Sequence, residues 1–486
     1  MFVIKTYKDA REYLERYIPY ITNHHIKPNS KEGEDKLGRM RHLLNLLDNP
    51  QKKFPSIVIS GTSGKSSTSY LIAHMFTSAG YSTGLTISPH LDKLNERIQL
   101  GKKNTGLKQI NDTKFIAYLN EIIPIIESMK NCVFGLPSYY EILIGLALRT
   151  FAQEHVSIAV IEVGIEGRYD ATNLISPLIF VLTNISLDHT QLLGNTVEKI
   201  AKEAISRVKG NQYSATDSNQ KQIVITGVTK PSVVAIVKKQ CMNEGVQLIN
   251  LDKDFTYRVN KVTHEGVFFQ KQQDNTKLDY FVSLRGAYQA ENATIAIKTI
   301  EEIKKFGFLV ANKNIEKALK TANFQGRFEE IVLNGIMFIL DGAHNPAKMR
   351  AFLDALKTIY PNRNITIIIG FKKGKDIKKI LQLVFDTNST IIVTEFSVTM
   401  DWGKNMAASV TTIKEEIIKM NCKKKEILYE KNFETALNKV QRLTDKSTHK
   451  NEKPLIVITG SLYLVGQMRE LLLRNHTLPT IKHHSL

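Results

Sequence analysis

The chain has 486 residues, 42% of them hydrophobic, a formal charge of +19 at pH 7 and 3 cysteines. This length and composition describe a large globular protein of two or three domains. They exclude a membrane span, since no apolar run approaches the roughly 18–20 residues one needs, and a disulfide or zinc framework, since Cys132, Cys241 and Cys422 lie far apart.

The surplus of positive charge raises a nucleic-acid partner, but no aromatic-interleaved basic motif or helix-turn-helix pattern accompanies it. A lysine-rich solvated surface, or steering of polyanionic small substrates, accounts for it instead. The first 21 residues read as an amphipathic helix without the apolar core of a signal peptide, which points to a cytoplasmic protein.

Strand-like runs follow at 54–60, 158–163, 178–185 and 222–227, with helical patterns at 65–79, 138–154 and 197–208. This is the βαβ rhythm of a mainly parallel sheet covered on both faces. Shorter strand-like pieces at 255–284 form a small antiparallel part of the same domain. After a helical stretch at 312–322, a second set of strands at 336–340, 365–371, 389–396, 426–429 and 454–460 reads as a separate Rossmann-like domain. The reading is therefore α/β, with domains at 1–322 and 323–486. Polar stretches at 101–113, 211–221 and 271–278 read as surface loops, and the tail "IKHHSL" as an unstructured terminus.

Between the first strand and the first long helix lies Gly61-Thr62-Ser63-Gly64-Lys65-Ser66-Ser67. Backbone N–H groups of such a turn converge on phosphate oxygens, and the helix N-terminus adds partial positive charge. Lys65 supplies an ammonium for the β and γ phosphates, and Ser66 and Ser67 supply hydroxyls for phosphate or Mg2+. The full Walker spacing fails because position 59 is Ile. Glu162 lies at the end of the strand "AVIEV", where a carboxylate can hold Mg2+ beside the loop, or else face solvent or pair with a lysine.

These segments do not stand alone. "TISPHLDKLNERIQL" (86–100), "LPSYYEILIGLAL" (136–148), "AVIEVGIEGRYDATNLI" (159–175), "LTNISLDHTQLLGNTVEKIAKE" (182–203), "YQAENATIAI" (288–297), "FQGRFEEI" (324–331), "ILDGAHNPAKM" (339–349) and "ITGSLYLVGQMRE" (458–470) follow in order. The set resembles the folylpolyglutamate synthase and dihydrofolate synthase family of the Mur-ligase superfamily, from about residue 35 almost to the C-terminus. The resemblance implies an N-terminal ATPase domain, a C-terminal Rossmann-like domain and an active site in the cleft between them. It implies a reaction in which ATP converts a folate or pterin carboxylate to an acyl phosphate. The amine of L-glutamate then attacks, releasing ADP and phosphate.

By the same resemblance, Glu162, His189 and Ser88 hold Mg2+, Asn292 lies near the nucleotide base, and Arg327 and Asp341 reach ATP from the second domain. His344 helps to place glutamate, Ser461 lies near the glutamate site, and Lys375-Asp376 resembles a further family pair. Lys65, His189 and His344 are the catalytic candidates, ATP and Mg2+ the cofactors. Folate or dihydropteroate and L-glutamate are the partners of a monomer that binds neither nucleic acid nor membrane.

The sequence also departs from the family. The position of the lysine that the family carbamylates is Ala204; Lys202 and Lys209 are poorly placed to replace it. The expectation is that no carbamate forms and that Arg207, or a lysine elsewhere, changes the metal environment. Ser63 stands for the usual Asn, Ser66 for a Gly and Glu166 for a Gly. Two other readings are compatible with the chain. One is a divergent Mur-type ligase joining a different acid and amino acid. The other is a nucleotide-binding protein that has lost the chemistry.

Overall fold

The computed structural model describes residues 3–18, 30–165, 167–210, 221–387, 389–397, 399–400, 403–404, 407–420, 427–445 and 455–477. Glu166, Cys422, most of the 211–221 loop and the C-terminal tail, on which sequence expectations were placed, lie outside them. Two compact units emerge: Met1–Ser283 with Ala287–Asn323 and Asp401–Gly403, and Leu284–Gly286 with Phe324–Met400 and Lys404–Leu486.

The first unit opens with α1 (Tyr7–Glu15), started by a capping box in which Thr6 and Asp9 satisfy each other's amides. Next come α2 (Lys31–Leu46), β1 (Ser56–Ser60), α3 (Lys65–Ser78), β2 (Thr83–Thr86), β3 (Gln99–Lys102) and β4 (Gly106–Gln109). Then follow α4 (Asp112–Ser128), α5 (Tyr139–Gln153), β5 (Ile158–Glu162), β6 (Ile179–Leu182), α6 (Thr190–Leu193) and α7 (Val197–Ile205). The unit continues with β7 (Ile223–Thr226), α8 (Pro231–Glu244) and β8 (Gln247–Asn250). It ends with β9 (Thr256–Val262), β10 (Val267–Gln273), β11 (Thr276–Val282), α9 (Tyr288–Glu302) and α10 (Asn312–Lys320).

Eight strands form one sheet in the order β4-β3-β2-β5-β1-β6-β7-β8. Every pair from β2 to β8 is parallel, and only the β2-β3 and β3-β4 pairs are antiparallel. β1 and β5 are buried along their whole length, which explains their unbroken apolar runs. The chain leaves β1 for β2 on one side and later returns to β6 on the other. β1 therefore sits at a switch point, where α/β sheets bind ligands outside the strands' carboxyl ends. β9, β10 and β11 make the separate antiparallel sheet expected at 255–284.

The stretches 101–113 and 271–278 are not simply loops. The first holds β4 and the start of α4, and the second the ends of the β10-β11 hairpin. β4 and β11 are edge strands whose residues in these stretches are exposed or half-buried, so they lose the alternation that marks a strand in sequence.

The second unit contains β12 (Glu329–Leu333), β13 (Ile336–Leu340), α11 (Pro346–Ile359), β14 (Ile365–Ile369), α12 (Ile377–Phe385) and β15 (Ser389–Thr394). A two-residue pair, β16 (Thr399–Met400) and β17 (Gly403–Lys404), precedes α13 (Val410–Lys419), β18 (Ile427–Glu430), α14 (Phe433–Asp445), β19 (Leu455–Thr459) and α15 (Leu462–Thr477). Six strands order as β12-β13-β19-β14-β15-β18, all parallel except the edge strand β12. Leu340 pairs with Ile458, so the loops after β13 and β19 leave the sheet side by side.

Candidate active site

The loop after β1 is held from beneath by the end of β6. Thr62 N donates to Asn184 O at 2.8 Å and Ser63 N to Asn184 Oδ1 at 3.1 Å. Thr183 Oγ1 donates to Ser63 O at 2.6 Å, and Ser186 N donates to Thr62 Oγ1 at 3.1 Å. Lys65, first residue of α3, folds back so that Nζ donates to Gly61 O at 2.5 Å. Ser67 is buried in the first turn. The hydroxyls of Ser63 and Ser186 are buried without a hydrogen-bond partner among the described residues, as a loop built for an oxygen-rich ligand would leave them.

Gly64 turns the chain into α3 at φ 82°, and a Cβ there would lie 2.3 Å from Asn292 Oδ1. Asn292, on α9, is buried and donates to Gln289 Oε1 at 2.9 Å, so it cannot move away freely. Gly64→Ala is therefore expected to cost about 2 kcal/mol, from the left-handed backbone and the clash together. A thermal melt coinciding with that of the unmodified chain would refute this packing.

Glu162 pairs with Ile59 across the β1-β5 ladder, which sets its side chain beside the loop. Its carboxylate is buried and accepts from Ser66 Oγ at 2.8 Å and from Ser88 N at 3.1 Å. Three expected residues thus meet, although Ser88 does so through its amide. The solvent-facing alternative for Glu162 is not what the structure shows. His189 stands at the N-terminus of α6 in a left-handed conformation, φ 47°. Its amide donates to Asp188 Oδ1 at 2.9 Å, and its Nε2 lies 4.0 Å from that atom. Among the described residues no group of three or more His, Cys, Asp or Glu gathers as a ready metal cluster.

Ala204 is fully buried in α7. The helix stops at Ile205, short of the expected 208, so Arg207 lies beyond it and shares no helix face with Ala204. Arg207 Nη2 donates to Thr172 Oγ1 at 3.0 Å, and its guanidinium lies 5.6 Å from the centre of the Phe180 ring. Burial lowers its pKa and the facing Asp170 raises it. Asp170 in turn accepts from Thr172 N at 2.9 Å and Ile165 N at 3.2 Å. Arg207 is thus tied to the segment that follows β5.

In the second unit Asp341 is a buried clamp. Oδ2 accepts from Phe328 N at 2.9 Å and Oδ1 from Ala343 N at 2.8 Å. Phe328 is fully buried at φ 48°, a left-handed backbone that needs such holding. Arg327 precedes it, its guanidinium 5.6 Å from the centre of the Phe324 ring and Nη1 donating to Gly326 O at 3.1 Å. The neighbouring loop is tied in by Gly460 N, which donates to Ala343 O at 3.0 Å. Ser461, also buried, follows directly. Asp341, His344 and Ser461 therefore share the ends of β13 and β19. Asp376 caps α12 by accepting from Lys379 N at 3.1 Å.

Burial pushes the Asp341 carboxyl up from 3.8 to about 6, against the pull of Arg327 and the two amides. A raised acid holds its proton more tightly folded than unfolded. Its charging therefore costs stability as pH rises from 3.8 to about 6, and that cost is complete above 6. Carboxyl carbon NMR should give Asp341 a midpoint near 6; a midpoint at or below about 4 would show the site to be well solvated.

Comparison with known proteins follows the same lines. The family model for the dihydrofolate synthetase C-terminal domain matches residues 321–474, and that for the Mur ligase middle domain matches 136–300. Folylpolyglutamate synthase of Lacticaseibacillus casei is 30% identical over 450 residues, 91% of this chain and 95% of that protein. Dihydrofolate synthase/folylpolyglutamate synthase of Bacillus subtilis is 26% identical over 467 residues, 96% of this chain and 98% of that one. Among solved structures, Mycobacterium tuberculosis folylpolyglutamate synthase complexed with ADP has a TM-score of 0.82 at 25% identity, covering 96% of this chain and 98% of its own. An FPGS complex with AMPPCP and folate has a TM-score of 0.74 at 27% identity, covering 96% and 100%. The ordered motifs, the loop braced between β1 and β6, and likeness over nearly the whole length converge: the chain belongs to the folylpolyglutamate synthase and dihydrofolate synthase family of ATP-dependent, Mur-type ligases.

Proposed function

We propose that the chain joins L-glutamate to a folate or dihydropteroate carboxylate at the expense of ATP. One observation carries this reading: buried Glu162 is hydrogen-bonded to Ser66 of the phosphate loop, 2.8 Å away. A carboxylate oxygen of the acid attacks the γ-phosphorus, the bond to the β–γ bridging oxygen breaks, and ADP departs. The glutamate amine then attacks the acyl carbon, loses a proton, and phosphate leaves.

The amides of Gly61, Thr62, Ser63 and Gly64, with Lys65, Ser66 and Ser67, are assigned to the phosphates. Ser66, Ser88 and Glu162 offer the oxygen donors that suit Mg2+, and His189 is assigned to the same cation. What the cation supplies when bound is neutralisation of charge between the acid and the triphosphate. Asn292, packed on Gly64, is assigned to the nucleotide near its base, and Arg327, beside the Asp341 clamp, grips phosphate oxygens. His344 and Ser461 are assigned to glutamate.

The division at 322/323 into an ATP-binding and a ligase domain is part of this reading, supported by the two compact units. So are a cytoplasmic location and a monomeric state with small-molecule partners alone; no helix of the described residues is long and apolar enough to cross a membrane. ADP release is to be measured with ATP, Mg2+, L-glutamate and dihydropteroate or tetrahydrofolate, each omitted in turn. Release that needs all of them is expected. Release without acid or glutamate would mean a hydrolase, and none with the complete set would mean lost chemistry.

A further inference from the structure

His344 Nδ1 lies 2.7 Å from Gly342 O, and His344 Nε2 lies 3.1 Å from Lys348 Nζ. A carbonyl only accepts, so Nδ1 carries the ring proton. An ammonium only donates, so Nε2 presents its lone pair. The ring is therefore neutral, in one defined tautomer, with its acceptor nitrogen turned to an ammonium. Lys348 owes its position to the backbone. Its amide donates to Asn345 Oδ1 at 2.9 Å, which starts α11, and its side chain reaches back past this N-cap to His344.

A primary ammonium hydrogen-bonded to a bare imidazole nitrogen is also what an amino acid would present to this ring. We propose that Lys348 and His344 form a two-point receptor for the incoming amino acid. The neutral Nε2 accepts from the substrate's amino group, at the place that Nζ of Lys348 holds here. Lys348 then exchanges the imidazole for the substrate's carboxylate, a charge-assisted and stronger partner. The exchange matches the imidazole acceptor to the substrate's amine and the Lys348 ammonium to its carboxylate, and it discriminates against amines that lack a carboxylate. Asp341, whose carboxyl feels both Lys348 and Arg327, is a charged neighbour of this pair. The inference rests on the reading of His344 as a glutamate-placing residue.

Steady-state kinetics of Lys348→Met, Lys348→Arg and His344→Gln test it. Loss of one charge-assisted contact should raise the KM for L-glutamate about 10- to 100-fold in Lys348→Met. The KM for ATP should not change, and Lys348→Arg should recover most of the loss. An unchanged glutamate KM, or equal rises for glutamate and ATP, overturns the proposal. If His344→Gln leaves glutamate kinetics untouched, the underlying site reading fails, whatever Lys348 shows. If His344 matters and Lys348 does not, only this inference fails. Should Lys348→Met not fold, nitrogen-15 histidine NMR of the unmodified protein decides. The Nδ1–H tautomer, with an Nε2 resonance that moves when L-glutamate joins a nucleotide- and folate-loaded sample, supports the receptor. The opposite tautomer, or a resonance that stays put, overturns it.

Discussion

Lys65→Met is expected to lower kcat about 1,000-fold or more while the protein stays folded. Methionine keeps the length and apolar body of the side chain and removes the charge. Lys65 Nζ rests on Gly61 O within its own loop. That charge-assisted hydrogen bond contributes about 1.5–3 kcal/mol, so the variant should melt lower and still fold. The ammonium's larger task comes when negative charge concentrates at the loop. A preorganised cation then has no equal substitute, because water would have to spend free energy reorienting toward the new charge. Melting and turnover are to be measured on the same preparation. A folded Lys65→Met protein with normal turnover would remove the phosphate loop from the mechanism.

Glu162→Gln should have the next largest effect, a fall of about 100-fold in kcat and a Mg2+ requirement displaced to higher concentration. The amide is close to isosteric, so the change is electrostatic. Glu162 accepts both from Ser66 Oγ and from Ser88 N. A glutamine can keep its carbonyl on Ser88 N and turn its NH2 to Ser66 Oγ, whose hydroxyl accepts as well as donates. What the variant loses is therefore the negative charge that would hold the cation. Glu162→Asp keeps the charge and should retain more activity than Glu162→Gln. Titration with Mg2+ separates the contributions: a curve superimposed on that of the unmodified enzyme would take Glu162 out of the metal's surroundings.

Much of this site was legible because parallel sheets bring function to strand ends. The apolar run at 54–60, the Gly-rich turn and the helix after it are contiguous, and Glu162 closes a second such run. What the sequence could not show is which strands become neighbours. Thr183 and Asn184 brace the loop only because β6 lies directly beside β1, and nothing local marks that pairing. The left-handed Phe328 was equally hidden, since its backbone is imposed by Asp341 from thirteen residues away. The early end of α7 changed the meaning of Arg207, whose partners on Thr172 and Phe180 come from distant segments. The His344–Lys348 contact was hidden as well: His344 precedes the extended N-cap Asn345, so helical spacing alone does not bring it to Lys348.

The central claim is that a carboxylate oxygen of the acid substrate takes the γ-phosphoryl group of ATP before nitrogen arrives. Dihydropteroate, or a folate acid if that is the better substrate, carrying oxygen-18 in its reacting carboxylate tests it in one turnover. The account predicts one labelled oxygen in each phosphate released alongside the amide. Amide formed with entirely unlabelled phosphate would contradict it.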